Sequence, residues 1–202
     1  MEAAIEPDTS MSHGLIQPDP KALKHLDLSH NSFDTSVADS LFTYLRSSAR
    51  ALRTLVLRID EQDGEGLSDS NCRDIFSLLC GNGSCLFGKF LERLDLTGHG
   101  LRSTGCEALV AALSIRKTLK MVQLRSNKIG DRGGTLIADF LERTYGGGQD
   151  HQNGLGSCRQ KMASEGDLLV IDLSGNQISA TVRKRIEAAQ KGCCKRPVRV
   201  HL

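Results

Sequence analysis

The chain has no tryptophan, only two tyrosines and six phenylalanines, so aromatics make up 4% of its 202 residues. Base-stacking platforms and aromatic-lined small-molecule pockets both depend on such side chains. Neither nucleic acid nor a small-molecule substrate is therefore expected as a ligand. One charge sign does not dominate either: 26 Lys and Arg stand against 24 Asp and Glu, a formal net of +2. A dedicated nucleic-acid binder carries a strong basic excess. No apolar run approaches the roughly 20 residues of a membrane span, so no membrane partner is expected. The opening stretch MEAAIEPDTSMSHGLIQPDP lacks the apolar core of a secretion signal. Seven cysteines are present, an odd number with no C-x-x-C pair. None of the six histidines sits with Cys or acidic residues at zinc-ligand spacing. These absences predict reduced thiols, no metal and no other cofactor. They also predict a cytoplasmic chain, with nucleus and cytoskeleton as the other compartments left open.

What the chain does have is self-similarity. The stretch LLVIDLSGNQI, residues 168–178, places apolar residues at positions 1, 4, 6 and 11 and Asn176 at position 9. LKHLDLSHNSF (23–33) and LKMVQLRSNKI (119–129) repeat that spacing, and LERLDLTGHGL (91–101) repeats it with His99 in place of Asn. LRTLVL (52–57) opens a further copy, whose position 9 is Asp60. Positions 4 and 6 lie two residues apart and share one face of a strand, which predicts a buried face. Position 9 Asn can serve backbone groups that a tight turn leaves unpaired. His99 can replace part of that capacity and an ionised Asp60 less, so the second copy is expected to be the least regular.

Helical spacing follows the strand in each copy: Cys106, Leu109, Ala112 and Leu113 after the third, Gly134, Ile137, Phe140 and Leu141 after the fourth. In the second copy the same pattern, Cys72, Ile75, Leu78 and Leu79, is displaced by five residues, with Asp69 as the expected helix cap. The Gly-rich run over 146–166 reads as a flexible insert.

These copies resemble the leucine-rich repeat, L-x-x-L-x-L-x-x-N-x-L, and their shorter steps resemble its ribonuclease-inhibitor-like subclass. The resemblance implies an α/β solenoid bent into a horseshoe arc, with a parallel sheet on the concave side and helices on the convex side. Repeats are expected to start at 23, 52, 91, 119 and 168, with a closing strand at 197–202. Residues 1–22 are expected to form an N-terminal flap or flexible segment, and 23–202 the repeat domain. The resemblance further implies a non-enzymatic module or scaffold that binds a protein partner, as yet unidentified, on the concave face and its rim. The alternative is a GTPase activator resembling the Ran GTPase-activating proteins. That family is longer and carries an acidic tail, whereas this tail is basic.

The solvent-facing strand positions 3, 5 and 7 supply the candidate partner-binding residues: His25, Asp27, Arg58, Arg93, Asp95, Gln123, Arg125 and Asp172. Arg58, Arg93 and Arg125 fall on neighbouring strands, where partner carboxylates would relieve their mutual repulsion. The acidic DEQDGEG stretch could instead satisfy Arg58 internally. Asp27, Asp95 and Asp172 share a column but are each separated by a whole repeat. That is too far for a shared proton or a compact metal cage. Cys72 and Cys106 read as small core thiols. Cys193 and Cys194, in KGCCKRPVR, read as a solvated basic helix end.

If the register is right, Leu124→Ala removes a core side chain and lowers stability by about 2–5 kcal/mol. An unchanged urea-unfolding midpoint would contradict it.

Overall fold

In the computed structural model, residues 23–60, 65–81, 87–146, 168–193 and 196–202 are described. Strands and helices alternate: β1 His25–Asp27, α1 Thr35–Ser47, β2 Thr54–Val56, α2 Asp69–Cys80, β3 Arg93–Asp95 and α3 Ser103–Ile115. They continue as β4 Met121–Gln123, α4 Asp131–Thr144, β5 Leu169–Asp172, α5 Ala180–Lys191 and β6 Val198–His201. All six strands run parallel in one sheet, in chain order. Each helix packs on the next, α1 on α2 through to α4 on α5. Strands sit about 4.8 Å apart, whereas helices with side chains are about 10 Å wide. A two-layer array of this kind bends with its sheet on the inside, the solenoid that the repeat spacing predicts.

The register is that of the repeat. Position 4 residues Leu26, Leu55, Leu94, Val122, Ile171 and Val200 pair in one row across the sheet. Leu55, Leu57, Leu94, Leu96, Val122 and Leu124 are wholly buried, whereas Leu26 and Leu28 on the edge strand are half-buried. Each apolar face is covered only by its neighbours, so stability is shared between adjacent interfaces. The helices complete the core through Ala38, Cys72, Cys106, Gly133 and Gly134, and a methyl group on Gly133 or Gly134 would press on Cys106 or Val182 of a neighbouring helix. Leu78, expected in the core, is only partly buried, and Phe76 takes the buried place beside Ile75 and Leu79.

Three sequence expectations need correction or restriction. Ser68, not Asp69, caps α2: its hydroxyl accepts from the Asn71 amide at 3.2 Å, and the Asn71 side chain accepts in return from the Ser68 amide. Asp69 instead reaches across to the next repeat. Its Oδ1 accepts from the amides of Arg102 at 2.6 Å and Gly105 at 3.1 Å, and its Oδ2 from the Thr104 hydroxyl. It thereby caps α3, whose own N-terminal residue Arg102 makes no side-chain cap. Asp131, first in α4, likewise accepts from the Ser179 amide at the start of α5. The flap expected at 1–22, the insert beyond Gly146 and Cys194 lie outside the described residues. Gly146 itself forms an antiparallel bridge with Cys193 rather than beginning a free loop.

Position 8 carries a requirement that the sequence pattern did not reveal. His30, Gly98, Ser126 and Gly175 all hold positive φ there, between 52° and 84°. This left-handed residue turns the chain off the strand toward its helix. The second repeat has Ile59 at position 8, and a β-branched residue resists that conformation. Its turn is made differently, and the five-residue displacement of α2 follows. A methyl group on Gly98 would come 2.1 Å from the Ile59 carbonyl oxygen, whereas one on Gly175 would lie 3.0 Å from the Ser126 hydroxyl. Gly98→Ala should therefore cost more than about 2 kcal/mol, and Gly175→Ala about 1 kcal/mol, close to the left-handed penalty alone. Denaturant unfolding of both variants checks this, and the reverse order would contradict the turn geometry.

Candidate functional site

The aligned strands set the solvent-facing positions in three columns. Position 3 reads His25, Thr54, Arg93, Met121, Val170 and Arg199; position 5 reads Asp27, Val56, Asp95, Gln123, Asp172 and His201. Five of the eight candidate residues, His25, Asp27, Arg58, Arg93 and Asp95, line one hollow of about 480 Å³ over β1–β3. Gln123 on β4, Arg125 just after it and Asp172 on β5 lie outside it, although the Arg93 guanidinium donates to Gln123 Oε1 at 2.7 Å.

Asp95, expected to face solvent, is instead buried, with only 4% of its surface exposed, and all three aspartates have a local task. Asp27 Oδ1 accepts from the Ser29 amide and hydroxyl, at 2.9 and 2.5 Å. Asp95 does the same for Thr97, at 3.1 and 2.7 Å, and Asp172 for Ser174, at 3.0 and 2.6 Å. The hydroxyl bond from Ser29, then its amide, holds the Asp27 carboxyl below its ordinary value. The signal was legible as D-L-[ST] in the first, third and fifth repeats. Where position 5 is Val56 or Gln123, position 7 is Arg58 or Arg125 instead.

The three arginines do not stand as an uncompensated cluster. Arg58 meets Asp60 at 3.5 Å, Arg93 meets Asp95 at 3.8 Å, and Arg125 meets Asp172 at 3.8 Å. Mutual repulsion thus gives no argument for a partner here, and the internal account of Arg58 is the one observed. All three pairs are exposed on the arginine side; the Arg58–Asp60 pair, exposed on both sides, contributes little to stability, whereas Asp95 of the Arg93 pair is buried. Their guanidiniums remain accessible to a competing carboxylate.

A second and larger hollow, about 840 Å³, lies at the rim where strands leave the sheet. Its walls include Ile59, Glu65, Thr97, His99, Arg102, Ser126 and Lys128. The sequence reading passed it over, although the five-residue displacement before α2 marked the place. His99 holds one wall. The Leu67 amide donates to its Nδ1 at 3.0 Å, which leaves the proton on Nε2, and Nε2 donates to the Leu57 carbonyl at 2.8 Å. Position 9 does the same with Asn in the fourth and fifth repeats, whereas Asn31 in the first is exposed and, among the described residues, donates only to the Leu28 and Ser29 carbonyls of its own repeat. Asn127 donates to the Leu96 and Leu124 carbonyls and accepts from the Leu101 amide. Asn176 donates to the Leu124 and Leu173 carbonyls and accepts from the Ile129 amide. His99 therefore keeps the Asn bridge to the preceding repeat but, with a single ring N–H, lacks the Asn donation to its own repeat's carbonyl, so it replaces part of that capacity as expected. Asp60 does not: it is exposed, and the Phe33 amide donates to the Glu65 carbonyl instead.

Among the described residues, no group of three or more His, Cys, Asp or Glu is placed to hold a metal ion. Among them too, no helix is long and apolar enough to cross a membrane. Burial pushes the Cys106 thiol up to about 12 and raises Cys72 as well, so neither supplies a thiolate near neutral pH.

Comparison with known proteins places these features in context. Leucine-rich repeat family profiles match residues 22–44, 89–110 and 117–138. Ribonuclease inhibitor of Sus scrofa is 28% identical over 150 residues, covering 60% of this chain and 30% of that protein. NACHT, LRR and PYD domains-containing protein 5 of Mus musculus is 28% identical over 155 residues, 68% of this chain and 13% of its own length. The mouse protein 4C of the same description is 29% identical over 157 residues, 68% and 16% respectively. The chain thus spans less than a third of the length of these relatives.

The ladder histidine carries a pH dependence. Burial lowers its pKa from 6.5 to about 4, against the opposing effects of the Leu57 bond and the Asp95 charge. Between those values the unfolded chain binds a proton that the folded chain refuses. Stability from this residue is therefore complete above pH 6.5 and falls as pH drops toward 4, by up to about 3 kcal/mol. His99→Asn keeps a donor and an acceptor in place, and its urea-unfolding profile should lack this acid-side loss. Parallel pH profiles for both proteins would refute the assignment.

Proposed function

We propose that this leucine-rich repeat protein, of the ribonuclease-inhibitor-like type, is a non-enzymatic module that holds a protein partner on its concave sheet face and rim. The observation that carries the reading is the unbroken register of six parallel strands. It converts single residues 28 or more positions apart in sequence into continuous columns of mostly polar side chains, interrupted by Val56, Met121 and Val170, on one wall. Such a surface suits an extended macromolecular contact better than a small substrate, which requires an enclosed, largely apolar pocket.

Ribonuclease inhibitor is named for its action on another protein, and an array of the same repeat type supports the same mode here. The candidate anchors are Arg93 and Arg125, flanked by Asp95, Gln123 and Asp172, with His25, Asp27 and Arg58 completing the wall. Arginine presents a planar fork of donors; Arg125 can exchange Asp172 for a partner carboxylate, and the exposed side of Arg93 can take one while its contact with buried Asp95 persists. The aspartates do not support an enzymatic reading. Asp27, Asp95 and Asp172 stand two strand spacings apart, and each is engaged with its own Ser or Thr. Buried, unpaired thiols at Cys72 and Cys106 fit a reducing compartment such as the cytoplasm.

Affinity capture from the source cell tests the wall directly. The wild-type chain should retain a discrete protein that the Arg93→Ala, Arg125→Ala double variant binds at least about tenfold less tightly. Its melting temperature should fall only modestly, since the Arg125–Asp172 pair is largely exposed and buried Asp95 keeps its two bonds from Thr97 when Arg93 is lost. Equal capture by both proteins would take the partner off the concave wall.

A further inference from the structure

The turns that leave the sheet spend their backbone amides on neighbouring repeats and leave two cationic side chains over. The Arg102 amide is held by Asp69, and the Lys128 amide donates to the Leu101 carbonyl at 2.9 Å. That bond sets Lys128 beside Arg102, and both side chains are exposed on the wall of the rim hollow. Among the described residues neither side chain has a hydrogen bond or an ion pair. This contrasts with Arg58, Arg93 and Arg125, each of which has an acidic neighbour.

The acids around the hollow are mostly engaged. Asp69 caps α3, and Asp60 meets Arg58 and His30. Glu65, also exposed, is the remaining free carboxylate among the described lining residues. The amides at the start of α3 are already taken by Asp69, so the attraction for an anion comes from the two side chains. Ser126, exposed on the same wall, adds a hydroxyl with no bond among the described residues.

We propose that this rim hollow is a second docking site, distinct from the concave columns, for an acidic extended segment of a protein partner. The Arg102 guanidinium takes one carboxylate in a bidentate pair, and Lys128 takes another as a point charge. Glu65 opposes the segment and limits how far its acidic stretch extends. Nucleic-acid binding draws on many neutralised phosphates along an extended basic stripe, and the described lining supplies only two free cations. The site shares with the proposed function the premise of a protein-binding module, but it does not depend on Arg93 or Arg125.

Fluorescence anisotropy of a short labelled peptide of alternating glutamate and alanine, titrated with the full chain at low salt, tests it. The wild-type chain should bind the peptide, and Arg102→Ala with Lys128→Ala should weaken binding at least about tenfold. The melting temperature should not change, since both residues serve the fold through their amides. Glu65→Gln should tighten binding. Lys184→Ala with Lys191→Ala, removing the same charge from exposed positions on α5, should leave it unchanged, as should Arg93→Ala with Arg125→Ala. No binding by the wild-type chain would overturn the site, and so would equal weakening by the α5 pair, which would reduce the effect to net charge. Loss only in the Arg93, Arg125 variant would assign the peptide to the concave wall. Equal competition by single-stranded DNA would show a site without preference for carboxylates and would likewise overturn it.

Discussion

The buried polar side chain at position 9 is what the rest of the architecture depends on. A chain leaving a three-residue strand turns sharply, and the turn strands amides and carbonyls where water cannot reach them. Each buried group left unpaired costs about 1–3 kcal/mol. Asn127 and Asn176 meet this by donating to carbonyls of their own and the preceding repeat while accepting the preceding repeat's amide. The bond network therefore runs across repeats and locks their register. Burial of Leu55, Leu94, Val122 and Ile171 then follows as a row, because the strands cannot slip against one another.

A second set of cross-repeat bonds works on the helix side. Asp69 and Asp131 each begin one helix and satisfy the start of the next repeat's helix. Carboxylates near helix N-termini are favoured by the local field of the amides, and here one carboxylate serves a neighbouring helix. Together with the ladder, these bonds leave the solvent-facing side chains at positions 3, 5 and 7 free to vary. That division explains how a rigid scaffold carries a changeable surface. It is not complete, since Asp27, Asp95 and Asp172 also hold the hydroxyl two residues on. A substitution there would disturb the strand exit as well as the wall.

The second repeat shows what happens when the rule is broken. Ile59 cannot readily take the left-handed turn, and Asp60 does not enter the ladder. The chain recovers through Glu65, whose carbonyl takes the Phe33 amide, and through His99, which bridges back to Leu57 and Leu67. The rim hollow lies where this detour leaves the regular stacking. Irregularity in the array and the larger concavity thus have one origin, the mismatch of a β-branched residue with a positive-φ turn.

Periodicity alone marked the strands and the buried rows, because side-chain alternation along a strand is a local property; the parallel sheet came from the resemblance to the repeat family, since alternation does not fix strand order. The three exposed columns were equally legible, since register follows once the rows are aligned. What each column residue touches was decided only by the tertiary structure. Whether Arg125 meets Asp172 or solvent depends on a partner 47 residues away in sequence, brought near by the ladder. The cap of α2 shifted from Asp69 to Ser68 for the same reason: Asp69 was the better local candidate but had a stronger use in the next repeat. His99 reads in sequence as an imperfect Asn, and only the folded neighbours Leu57 and Leu67 make both of its ring nitrogens count. The rim cations were invisible at that level, because a lone arginine and a lone lysine 26 residues apart become a pair only when one turn stacks on another.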